Sequence, residues 1–130
     1  MAGPSNGGSA DQDAIPFDGI VLQQAAALGS IGPGRLPELL GRVDAYLTTR
    51  RRTLRRQYER VHRDEERELF LVPDDYWPEL GADLGLDERE WQAARRAHEN
   101  QLLRVGSVLD RREEFETALE IRSAVVVGRE

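Results

Sequence analysis

Apolar positions along this chain recur mostly with helical spacing. Behind Asp18, the positions Ile20, Val21, Gln24, Ala25 and Leu28 predict a short amphipathic helix ended by Gly29. Gly29 to Gly34 then reads as a tight connection. A second helix opens with Pro37 in its first turn, where a missing N–H costs nothing. Its apolar residues Leu36, Leu40, Val43, Leu47, Leu54 and Tyr58 fall on one stripe.

Beyond Tyr58 two readings stand. The helix runs on to about Arg63, or Tyr58–His62 turns back on Glu68–Val72 as a hairpin. Leu69-Phe70-Leu71-Val72 is apolar on both strand faces and stops at Pro73, which favours the hairpin. Asp74-Asp75-Tyr76-Trp77-Pro78 starts a further short helix, capped by a carboxylate and ended near Gly81 or Gly85. Asp87-Glu88-Arg89-Glu90 has the form of a capping box. Behind it Trp91, Ala94, His98, Leu102, Val105 and Leu109 share one face.

Continuing that helix would bury Arg112 and Glu116, so a phase break is expected between Gly106 and Asp110. Restarting at Asp110 groups Phe115, Ala118 and Leu119. Ala124-Val125-Val126-Val127 is β-branched and fits a strand beside Leu69–Val72. The expected fold is mainly α: one small domain of four to five helices over residues 15–130, with a minimal two- or three-stranded β element. Residues 1–14 are rich in Gly, Ser, Asn and Asp and read as a disordered tail, because they cannot offset their own ordering entropy.

Composition narrows the chemistry. All 18 basic residues are Arg and none is Lys, which excludes a P-loop, a Schiff-base lysine and a protein-kinase lysine. The absence of Cys excludes thiol nucleophiles, disulfides, zinc fingers and iron–sulfur ligation. No apolar run is long enough to cross a membrane and no signal peptide is apparent, so a cytoplasmic protein without membrane contact is expected. The net charge of −6 disfavours whole-surface attraction to nucleic acid. Arg without Lys in an acidic chain fits either GC-rich coding or a salt-adapted cytosol.

The densest feature is the segment 50–63, with seven Arg in fourteen residues against the single carboxylate Glu59. On a continuous helix, Arg52, Arg56 and Arg63 would lie within about 20° of the direction opposite Leu54, flanked by Arg55 and Arg60. These five are the candidate binding residues, for nucleic acid or an acidic partner. The plainer reading is a solvated face neutralised by Asp64, Glu65, Glu66 and other carboxylates. Glu59-x-x-His62 is half of a di-iron bundle motif and lacks a second copy, so no metal site or cofactor is expected. His98 reads as a hydrogen-bonded core histidine. Asp74, Asp75 and Tyr76 with Trp77 form a candidate ligand-facing loop, although capping and core anchoring also explain them. No catalytic motif is present, and a non-enzyme is expected.

Three runs carry a resemblance: Trp77-x-x-Leu80-Gly81-x-x-Leu84-Gly85-Leu86, Ala97-His98-x-x-Gln101-Leu102, and Asp110 to Arg122. Over about residues 17–128 the chain resembles a group of small uncharacterised proteins of halophilic archaea. The resemblance implies a salt-adapted archaeal cytosol and assigns no role to any residue. The leading functional expectation is a protein-interaction or regulatory module, binding an unknown protein or itself through an apolar helix face. The alternative is nucleic-acid binding through segment 50–63, which molar salt would screen.

Overall fold

The computed structural model describes residues 15–28, 31–32 and 34–129. The expected disordered tail lies outside them, as do Gly29, Ser30 and Pro33 of the predicted connection. The helices are α1 (Gly19–Leu28), α2 (Arg35–Thr48), α3 (Arg51–Gln57), α4 (Tyr76–Leu84), α5 (Glu88–Val108) and α6 (Arg112–Ala118). The strands are β1 (Glu59–Arg63), β2 (Arg67–Val72) and β3 (Ser123–Gly128), in one antiparallel sheet ordered β1-β2-β3. The protein is thus a mainly α single domain with a minimal β element.

α5 is the spine of the core. Asp87 accepts from the Glu90 N–H while the Glu90 carboxylate accepts from the Asp87 N–H, so the predicted capping box is formed. Behind it the small residues Ala93, Ala94 and Ala97 are buried, and α5 packs on β3. Leu36, Leu39, Leu40, Val43 and Leu47 bury the stripe of α2. Every residue of β2 and β3 is buried, including Arg67 and Glu68.

Three local expectations are corrected. The second helix does not run unbroken from Leu36 to Tyr58 but stops at Thr48 and restarts at Arg51. There the Thr48 and Thr49 hydroxyls donate to the Ala45 and Tyr46 carbonyls and the Arg50 guanidinium also donates to Tyr46, so side chains take over carbonyls at the helix end. Leu54 still reaches the core. Asp75 does not cap α4 with its side chain, since its backbone is helical rather than extended. The Tyr76 N–H donates to the Pro73 carbonyl instead.

The phase break after α5 is present, but Asp110 is not the cap of the next helix. It takes the left-handed conformation (φ 60°), and the Arg111 N–H reaches back to the Gly106 carbonyl at 2.7 Å. Leu109 is therefore 40% exposed rather than on the buried face. Chain reversal then lays the Phe115 ring over Gly106, where a Cβ would come within 2.8 Å of it.

The hairpin is the correct reading of residues 58–72. Glu59 pairs with Leu71 and Arg63 with Glu68, with a bulge between Arg60 and His62. Its tip uses Asp64, whose carboxylate accepts from the Glu66 and Arg67 N–H groups, in place of an Asn-Gly turn. The far edge belongs to β3. Side chains occupy its outward groups: the Trp77 indole donates to the Ala124 carbonyl, His98 accepts from Val126 N–H, and Asp44 accepts from Gly128 N–H. That edge is closed to a further strand.

Candidate interaction surfaces

Where α3 ends and β1 begins, the chain leaves an open groove of about 630 Å³ at the end of the sheet. Pro73, the half-buried Tyr58 and Ile121 supply its apolar surface, and Ile121 is 75% exposed. The Tyr58 ring stands edge-on to Tyr76, with centroids 5.7 Å apart. Burial pushes the Tyr76 hydroxyl pKa up, so it stays a neutral phenol at every physiological pH. Glu59, Asp74, Asp75 and Arg122 form the rim. Arg122 is held by Glu59 at 3.1 Å and Asp74 meets Arg95 at 3.4 Å, while Asp75 is exposed.

The predicted ligand-facing loop is therefore half present. Asp74 and Asp75 line the groove, but Trp77 is buried in the core as its indole bond to β3 requires. Ile121 and Arg122 were not legible as site residues. Ile121 lies in a turn without periodicity, and only the pairing of β3 with β2 brings it beside Tyr58.

Segment 50–63 does not form one helical ridge, because β1 replaces the helix after Gln57. Arg55 and Arg60 converge on the fully buried Glu68 at 2.8 and 3.0 Å. Burial alone would raise the Glu68 pKa, but hydrogen bonds and charge from both guanidiniums outweigh it and hold the carboxyl below its ordinary range. Arg52 and Arg56 stand on the outer face of α3 and make no hydrogen bond or ion pair among the described residues. Arg63 is exposed at the other end of β1, about 13 Å of strand from Glu59. Of the carboxylates expected to neutralise the segment, Asp64 serves the turn, His62 and Arg67 instead, and a further carboxylate, Glu68, takes Arg55 and Arg60.

A family model described as a domain of unknown function, DUF8048, matches residues 15–129. The chain belongs to this family. No curated protein and no solved structure matches the chain.

The two histidines of the DUF8048 domain lie in separate places. His62 sits on β1 with its Nε2 2.8 Å from Asp64, and on a strand the Glu-x-x-His spacing loses its helical meaning. His98 is completely buried, its Nδ1 accepting from Val126 N–H at 2.8 Å, so the neutral ring carries its proton on Nε2. The Phe17 and Trp77 rings stand edge-on to it, each at 4.8 Å. Burial pushes its pKa down to about 3. Among the described residues, no group of His, Asp and Glu is arranged to hold a metal ion, and no helix is long and apolar enough to cross a membrane.

Proposed function

We propose that this domain is a non-enzymatic protein-interaction module of the cytoplasm, and that the groove beside Ile121 is its docking site. The observation that carries the reading is the 75% exposed Ile121 set among Tyr58, Pro73 and an acidic rim. Ile121 shares one concavity with Tyr58 and Pro73, and concavities of mixed apolar and polar lining are where binding partners anchor a side chain. Glu59 and Asp74 are each paired with an arginine, Arg122 and Arg95, which leaves net negative charge at the exposed Asp75 and suits a partner segment with an apolar anchor flanked by Arg or Lys. Both histidines lie outside the groove. Self-association through an apolar helix face has less support, because the stripes of α2 and α5 are turned into the core. Apolar anchoring also persists in the salt-adapted archaeal cytosol that belongs to this proposal.

The test is selection of displayed random peptides on the wild-type domain, followed by titration against Ile121→Ser and Asp74→Asn/Asp75→Asn. Enriched peptides pairing an apolar residue with a cation, bound at least tenfold more weakly by both variants, are the expected result. Failure to enrich such peptides, or equal binding by the variants, overturns it.

A further inference from the structure

We infer that the outer face of α3 binds the phosphate backbone of nucleic acid, at a surface independent of the groove. α3 has seven residues, RRTLRRQ, and only Leu54 is buried. At 100° per residue Arg52 and Arg56 lie within about 20° of the direction opposite Leu54, with Arg55 about 80° from that direction and Arg51 turned toward the Leu54 side, where it meets Gly128. Residues four apart on a helix sit about 6 Å from each other. That is close to the separation of successive phosphates along one strand.

The supporting scaffold is specific. Glu68 is completely buried and bonds Arg55 through two contacts and Arg60 through one, while their side chains stay 40% and 39% exposed. One carboxylate thus fixes two guanidiniums at the surface, beside Arg52 and Arg56. Arg51 is oriented by donating to the Gly128 carbonyl. A concavity of about 390 Å³ lies at the α2–α3 junction, lined by Thr48, Thr49, Arg51, Arg52 and Arg55. Both threonine hydroxyls already donate to backbone carbonyls, so recognition there rests on the guanidiniums. These present planar forks suited to phosphate oxygens. In a chain of net charge −6 this local excess of cations runs against the average.

The surface fits nucleic acid better than a lipid bilayer. An interfacial helix needs exposed apolar side chains to insert, and the sole aliphatic residue of α3, Leu54, is in the core. In place of the predicted ridge, the proposed patch takes Arg52, Arg55 and Arg56 from α3 and Arg60 from β1, and Arg63 lies at the far end of β1.

The experiment is fluorescence anisotropy of a labelled 20-mer duplex DNA and a single-stranded RNA against the full chain across a salt series, with circular dichroism at each salt. Four phosphate contacts predict about a hundredfold loss of duplex affinity between 50 and 200 mM salt. Arg52→Gln/Arg56→Gln should bind at least tenfold more weakly at 50 mM, with the log–log salt slope reduced by about 2. Arg89→Gln/Arg96→Gln, two exposed arginines of α5, removes the same charge elsewhere and should retain binding. Absence of saturable binding at 50 mM salt overturns the inference. So does an equal loss in the α5 variant, which would report net charge alone, or equal affinity for poly-glutamate, which would indicate an acidic protein partner.

Discussion

Acid should destabilise this domain well above the range in which its carboxylates titrate, and His98 is the reason. The ring is fully buried, its Nδ1 is occupied by Val126 N–H, and two aromatic rings pack against it. A proton that the unfolded chain binds near pH 6.5 is refused by the folded chain down to about pH 3. Because the folded pKa is depressed, the stabilisation is complete above pH 6.5 and is lost as pH falls toward the folded value. Each unit in that window costs about 1.4 kcal/mol, and the step from pH 7 to pH 5 removes about 2 kcal/mol. Urea unfolding curves at half-unit intervals from pH 7.5 to pH 5, for the wild type and His98→Gln, isolate the effect. The variant is less stable throughout, but the readout is the slope, and its slope should be shallower than that of the wild type. Asp18, Asp64 and Glu68 are all lowered and act below this window, while any contribution from the raised Asp44 is common to both proteins. Equal slopes would refute the placement of His98 as a neutral, closed-in core group.

Other outcomes follow from single contacts. Gly106→Ala puts a Cβ 2.8 Å from the Phe115 ring and 3.0 Å from the Arg112 backbone, and should cost about 1–3 kcal/mol by urea denaturation despite alanine's better helix propensity. Trp77→Phe strips the buried Ala124 carbonyl of its indole donor and should cost about 1–3 kcal/mol, read as a lower Tm. Glu68→Gln should cost only about 1 kcal/mol at pH 7, because Arg55 and Arg60 are partly hydrated. Its cost should vanish as pH falls from 4.5 through the lowered folded pKa of Glu68, measured by urea unfolding between pH 6 and pH 3.

Elements whose determinants are local were legible in the sequence. The capping box at Asp87 and the β-branched run at Val125 act within a few residues, and each became the expected element. The hairpin was favoured on the apolar run Leu69–Val72, although its turn depends on the Asp64 carboxylate rather than on a familiar dipeptide. The break at Thr49 was not legible, because the periodicity of Leu47, Leu54 and Tyr58 survives a short interruption of the helix. At the candidate sites, Asp74 and Asp75 were visible as a loop, but Ile121 is far from them in sequence and joins them only through the sheet. The Arg segment was visible as a charge run. Its division into cations spent on Glu68 and cations facing solvent depended on a carboxylate beyond the turn.

The two proposed surfaces meet at Gln57 and Tyr58, and their charges oppose. On one side α3 presents Arg52, Arg55 and Arg56; on the other the groove has three carboxylates around Ile121. An average charge of −6 conceals this division. It also implies that salt ranks the surfaces. Phosphate binding on α3 draws nearly all its free energy from charge and counterion release, so it fades as the Debye length falls to about 3 Å at 1 M salt. The groove loses its cation selectivity under the same conditions but keeps the apolar contribution of Ile121, Tyr58 and Pro73. A selected peptide and an oligonucleotide titrated over one salt series should therefore cross in affinity. If the domain works in a salt-adapted cytosol, the groove is its operative surface, and if it works at low salt both are open to use.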